Sequence, residues 1–305
     1  MDNIPPLSLP ILMDGATGTE LCKRGMPAGA CTEQWVLEHP DVLLELQRAY
    51  VAAGSRVLIA PTFGANRVML ERHGLFGKVA DYNRRLVALT RQASEGRALV
   101  AGDLAPTGLS IAPFGESSFE ELVAVYTEQA AALAAAGVDL FLIETTVTMP
   151  EARAAMLACR SVSDRPVWVT FTCDEDGRTP AGTDVLAGLI VMQGMGAVAV
   201  GLNCSVGPEE MLEQLRRLAP YAAVPLVAKP NAGLPEQGEN GPAYRWTPEQ
   251  FASYAGKFAA AGARIFGGCC GTTPEHIAAL GDAVAGIDFS AFVPPGRGAH
   301  VIPGA

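Results

Sequence analysis

Short apolar runs rich in β-branched residues recur along the chain, and longer Ala/Leu-rich segments separate them. Eight runs stand out: residues 11–14, 56–62, 98–103, 140–146, 167–172, 197–204, 225–231 and 263–270. Their near-continuous apolarity predicts strands buried on both faces, as in a parallel sheet. The segments between them carry helix punctuation. In residues 116–137, Ser117 or Ser118 predicts the N-cap, acidic residues follow in the first turn, and Gly137 predicts the stop. Residues 247–262 open on Thr247 and Pro248 and close on Gly262, and Thr273–Pro274 repeats that logic further on.

Eight strand–helix units in series, with no second block of different composition, predict an α/β fold: a single (β/α)8 TIM barrel over residues 1–290. A doubly wound open sheet is the alternative, weakened because DGATGTE after the first run does not form a GxGxxG pattern. Residues 15–37 and 174–184 predict long loops, and the Pro/Gly-rich residues 291–305 predict a tail outside the packed barrel.

Composition narrows the function. A chain of 305 residues buries a large core without disulfides or a structural metal. The net charge of −10, with no run of Lys or Arg, argues against nucleic acid or an anionic membrane as partner. Residues 185–204 are long and apolar enough to span a bilayer, but Gln193, Gly194 and Gly196 interrupt them, which predicts a buried helix, a turn and a strand. The N-terminus has no basic region of the secretory kind, and seven cysteines at irregular spacing suit a reducing, cytoplasmic setting.

In such barrels the strands' C-terminal ends carry the active site. Reading those ends gives Asp14, Thr62, Asp103, Glu144, Thr172 with Cys173, Asn203 with Cys204, Lys229 with Asn231, and Cys269 with Cys270. Three thiolates on one face, from Cys204, Cys269 and Cys270, suit Zn2+ with its fourth position open, a catalytic rather than a structural pattern. Gly267, Gly268 and Gly271 would give the adjacent cysteines a permissive backbone. The plainer reading is three small buried hydrophobes. A vicinal dithiol, redox-active or metal-binding, is a further alternative, and Lys229 raises that of a Schiff-base aldolase. The GATGT turn (15–19) either cradles a carboxylate with backbone N–H groups or is only a turn. Asp103 is a loop brace or a contact, and Asp14 and Glu144 are structural or substrate-binding. Cys159 reads as core, Cys173 is set aside before the acidic DEDG, Cys22 and Cys31 have no assignment, and His276 reads as a surface residue.

The motifs MDGATGTEL, PTFGANR, IETT, GTD, GLNCSVGPEE, KPNAGLP and GGCCGTTPEHI, from about Met13 to about Leu280, resemble the homocysteine S-methyltransferase family. Within it the likeness is to the homocysteine-binding module of cobalamin-dependent methionine synthases. The resemblance implies a zinc-dependent barrel that methylates homocysteine to methionine, with Cys204, Cys269 and Cys270 as zinc ligands and catalytic centre. It also implies that Glu144 and Asp14 hold the substrate ammonium and that Asn231 fills the fourth zinc position when substrate is absent. Gly15, Ala16 and Thr17 are the candidates for the substrate carboxylate. No histidine lies in an Asp-x-His-x-x-Gly pattern and no cobalamin domain follows residue 305, so the donor is expected to be a small molecule or a separate methylated protein; the likeness of PTFGANRVMLERHGL and NCSVGPEEM to the methionine synthase module implies a methylcorrinoid on a partner protein. S-methylmethionine, a small sulfonium used by free-standing members, is the alternative donor.

Overall fold

The structure is a computed structural model and describes residues 8–112, 115–234, 236–238 and 241–289. The expected tail at 291–305 lies outside the described residues. Eight strands build the barrel: β1 (Ile11–Leu12), β2 (Val57–Ile59), β3 (Leu99–Leu104), β4 (Leu140–Thr146), β5 (Val167–Phe171), β6 (Ala199–Asn203), β7 (Leu226–Lys229) and β10 (Ala263–Phe266). A separate antiparallel hairpin, β8 (Glu236–Gly238) with β9 (Gly241–Ala243), follows β7. The barrel strands are parallel and ordered β1-β10-β7-β6-β5-β4-β3-β2. A bridge between Met13 and Val57, with Asp14 N–H donating to the Val57 carbonyl at 3.1 Å, joins β1 to β2 and closes the ring. The single (β/α)8 barrel expected from the pattern is therefore the observed fold.

Two apolar layers hold it together. Met13, Ile59, Ala101, Leu142, Val227 and Ile265 fill the inside of the barrel, and a larger cluster lies between strands and helices. The period-two alternation of strand side chains that turns Ala101, Leu142, Ala199 and Val227 inward also carries Asp103, Glu144, Asn203 and Lys229 to the inner side at the upper rim.

The helix punctuation is largely as read. Ser118, not Ser117, caps Phe119–Ala136 through the Glu121 N–H, and Gly137 ends it at φ +83°. Residues 185–204 form the helix Val185–Gly194, a turn, and β6. No helix among the described residues is long and apolar enough to cross a membrane. Two segments differ. Residues 247–262 form two short helices, Pro248–Ala252 and Ala255–Ala260, because the Ser253 hydroxyl donates back to the Gln250 carbonyl at 2.7 Å and competes with the helical ladder at the break. The expected loop 15–37 contains helices Gly18–Lys23 and Thr32–Glu38. Buried Leu21, Trp35 and Val36 anchor them, and Glu20 pairs with Lys23 and Arg24 one turn on.

Candidate active site at the upper rim

The thiols come from two corners of the rim. Cys204 follows β6 in the left-handed conformation, at φ +61°, and Ser205 repeats it at +55°. Cys269 and Cys270 follow β10, where Cys269 N–H donates to the Pro230 carbonyl at 2.8 Å and Thr272 Oγ1 donates to the Cys269 carbonyl at 2.7 Å. Gly271 sits at φ +80°, and a side chain there would collide with the Tyr244 ring; Gly268 lacks a Cβ because Thr272 occupies its place. Only Gly271 of the three glycines thus supplies a left-handed backbone, and the rest of that strain is carried by Cys204 itself. The three sulfurs lie within 4.8 Å of one another, Cys204 and Cys270 at 3.8 Å, and all three residues are half-buried. Hydrogen bonds from Cys269 and then Cys270 hold the Cys204 thiol far below its usual range, and the same thiolate pushes both partners up.

A cavity of about 380 Å³ opens beside the thiols. Its walls include Cys204, Cys269, Cys270, Asp103, Glu144 and Lys229, with Gly15, Ala16 and Thr17 on another side. Lys229 Nζ lies 2.5 Å from Glu144 Oε1, and the two side chains are 2% and 10% exposed. Three carboxyl groups share this one cation. Burial pushes Asp14 up to about 7 against the opposing pull of Lys229. Burial, and then the charge of Glu144, raise Asp103 well above the carboxylate range. Burial raises Glu144 too, with Lys229 opposing it. The Oδ1 atoms of Asp14 and Asp103 are buried without a hydrogen-bond partner. One buried cation thus faces three acids, two of which keep a buried oxygen without a partner.

The residues singled out in the sequence divide as follows. Asp103, Glu144, Lys229 and the three cysteines line the cavity. Asp14 does not; its Oδ2 accepts from the Ile59 N–H at 2.8 Å. Asn231 is buried outside the lining, its Oδ1 unpartnered, and the next residue ties it to the thiols, Ala232 N–H donating to the Cys270 carbonyl at 3.0 Å. Thr62 braces the rim by donating to the Asp103 carbonyl, and Thr172 bonds the Ser205 hydroxyl. Cys159 is core, and Cys173 is buried away from the trio. His276 is not a surface residue: it is buried, completes the capping box of Pro274–Ala285, and meets the Trp246 carbonyl at 2.8 Å. The Glu144 and Asp14 charges raise the Lys229 pKa and so disfavour the neutral amine that the Schiff-base alternative needs. Sequence reasoning missed Cys31, Glu33, Phe63 and His73 on the cavity wall. Glu33 accepts from the Gly64 N–H at 2.6 Å and from the Cys31 thiol at 3.4 Å; no pattern in the presumed loop marks it.

Fold and site together define a (β/α)8 barrel enzyme with a thiol cluster set against a carboxylate-lined cavity. The family model for homocysteine S-methyltransferase matches residues 11–284, and the chain belongs to that family, a family of methyltransferases. It is 33% identical over 292 residues to methionine synthase of Mycobacterium leprae (strain TN), covering 89% of this chain and 24% of that protein. It is likewise 33% identical over 294 residues to methionine synthase of Mycobacterium tuberculosis (strain ATCC 25618 / H37Rv), covering 90% and 24%. The chain thus spans about a quarter of the length of these relatives. Among solved structures it resembles the metallated form of the homocysteine methyltransferase MmuM from Escherichia coli, with TM-score 0.76, 30% identity, and 88% of this chain and 94% of that one covered.

Proposed function

We propose that this chain methylates the thiol of homocysteine to methionine, with Cys204, Cys269 and Cys270 as the ligands of a zinc ion. The observation that carries the reading is the meeting of three thiols within 4.8 Å of one another beside a cavity walled by Asp103 and Glu144. The donor set fits: three thiols from two corners of the rim would hold a zinc ion, and the buried, unpartnered Asn231 Oδ1 would offer it a neutral oxygen when substrate is absent. When bound, zinc would supply the Lewis acidity that favours the thiolate of a substrate whose free thiol, like that of cysteine, has a pKa of about 8.5.

The protein's own groups bind and orient. Glu144, which Lys229 pulls toward its ionised form, takes the substrate ammonium, while burial holds Asp14 and Asp103 toward their neutral forms, so that they add polar contact rather than charge. The Gly15–Thr17 turn faces the substrate carboxylate, although the Ala16 N–H is already committed to Thr272 Oγ1 at 3.0 Å. Fixing both ends of the amino acid would hold its sulfur near the thiol corner, where the methyl group has to reach it. The three thiols must stay reduced, which suits a cytoplasmic location.

The donor in this reading is a methylcorrinoid carried by a partner protein. Likeness to the methionine synthases supports it, as do exposed Phe63 and Leu234 on rim loops, which offer apolar contact to a bulky donor. Zinc-loaded protein with homocysteine is supplied with methylcobalamin or S-methylmethionine, and methionine is measured. Methionine from methylcobalamin is expected. Fast turnover with S-methylmethionine and none with methylcobalamin would overturn the donor.

A further inference from the structure

Thr145 stands directly after Glu144, lines the cavity, and has φ +57°. A β-branched residue in the left-handed region is strained and persists only where its surroundings hold it. The pairing of β4 with β5 is irregular between Ile143 and Thr146, so the strand bulges where Glu144 is aimed. What holds the bulge is a side chain from β6, reaching past β5. Asn203 Oδ1 accepts from the Thr145 N–H at 3.0 Å, and Asn203 Nδ2 donates to Thr145 Oγ1 at 2.9 Å. The backbone N–H can only donate, which fixes the amide's orientation and leaves Nδ2 on the sulfur side. There it reaches Cys269 Sγ at 3.8 Å. Asn203 is 1% exposed and pairs in register with Lys229, the partner of Glu144.

We infer that Asn203 is a positioning residue: it clamps the strained bulge that aims Glu144 and gives its second amide hydrogen to Cys269, fixing the spacing between ammonium site and thiol corner. That spacing is the distance from amino group to sulfur in the substrate, so the clamp selects a four-carbon amino thiol over shorter cysteine. The inference rests on the zinc and homocysteine reading above.

The test uses Asn203→Leu, similar in size and without polar atoms, and the same variant carrying Thr145→Gly, since glycine occupies the left-handed region unaided. Hydrogen exchange at the Thr145 amide, followed by mass spectrometry on metal-free protein, should speed at least about tenfold in Asn203→Leu. Zinc content should be unchanged. Homocysteine affinity of the zinc-loaded variant should fall about tenfold, the order that one strained backbone residue represents, and preference over cysteine should fall with it. Adding Thr145→Gly should regain most of the affinity. With cobalt(II) in place of zinc, the sulfur-to-metal charge-transfer band should shift in Asn203→Leu and stay shifted with Thr145→Gly, because the amide-to-sulfur bond is not restored. Unchanged exchange at Thr145 together with unchanged homocysteine affinity would overturn the clamp, as would a failure of Thr145→Gly to rescue. Wild-type protein that binds neither metal at the cysteines would sink the zinc reading instead, and the exchange experiment would still decide the clamp. If leucine prevents folding, Asn203→Ala replaces it in every measurement.

Discussion

Replacing Lys229 by Met removes one partner of a buried ion pair and keeps the length of its stem. The pair is short, 2.5 Å, and its members are 2% and 10% exposed, so water cannot take over the missing charge. Removing one partner of such a pair costs about 3–5 kcal/mol when the other must stay ionised. Glu144 has an escape, which is to take up a proton. Its folded pKa, already raised by burial, then rises further because the opposing Lys229 is gone. The unfolded chain releases that proton near pH ~4.3, so over this window the folded variant binds more protons than the unfolded one and loses stability as pH rises. Each pH unit over which the variant keeps this proton and wild type has released it is worth about 1.4 kcal/mol, so the deficit against wild type should be smaller at pH 5 and grow toward about 3–5 kcal/mol at pH 8. Lysine itself is charged in both states across this range and adds no slope. Urea unfolding of both proteins at the two pH values measures the difference. A second variant, Lys229→Met with Glu144→Gln, should recover much of the pH 8 deficit, because no buried charge is stranded. Equal deficits at pH 5 and pH 8, or no recovery in the double variant, would refute the claim that Lys229 keeps Glu144 ionised.

Three further outcomes are expected. Cys204→Ser, Cys269→Ser and Cys270→Ser should each lose most bound zinc and nearly all methyl transfer while circular dichroism keeps the barrel spectrum; full zinc occupancy in the Cys269→Ser, Cys270→Ser double variant would overturn the site. Glu144→Gln should weaken homocysteine ~10–100-fold by titration calorimetry with zinc retained, the effect of losing one charge-assisted hydrogen bond. Asp14→Asn should gain about 2–3 kcal/mol on wild type between pH 5 and pH 8, because the folded wild type keeps a proton up to about pH 7 that its unfolded chain releases near ~3.9; parallel stability curves for the two proteins would contradict that.

The barrel was legible because its strands are buried on both faces and so read as unbroken apolar runs. The same parity that fills the inside of the barrel predicts which polar residues share its rim, which is why Asp103, Glu144 and Lys229 could be placed there from order alone. Their mutual arrangement could not. That Lys229 answers Glu144 across 85 positions depends on barrel circumference and side-chain reach, which no local pattern encodes. Asn203 stood in the NC motif as a neighbour of a cysteine; its reach past β5 to Thr145 follows from a bulge that leaves no mark in the sequence. Cys31 and Glu33 were hidden because the first segment read as loop, its short helices being fixed by tertiary burial rather than by periodicity.

β10 pairs with β1 on one side and β7 on the other, and is the last strand of the ring along the chain. A ribosome makes Cys204 well before Cys269 and Cys270, which follow β10 by only a few residues. The strand that completes the barrel therefore also delivers two of the three sulfurs. During synthesis, Cys204 has neither of its partners and no chelating pocket. A metal ion held by all three sulfurs would have to wait until the last strand is made, and could not guide the nascent chain before that point. Full coordination at the thiol corner would in that sense certify that the final strand has been made.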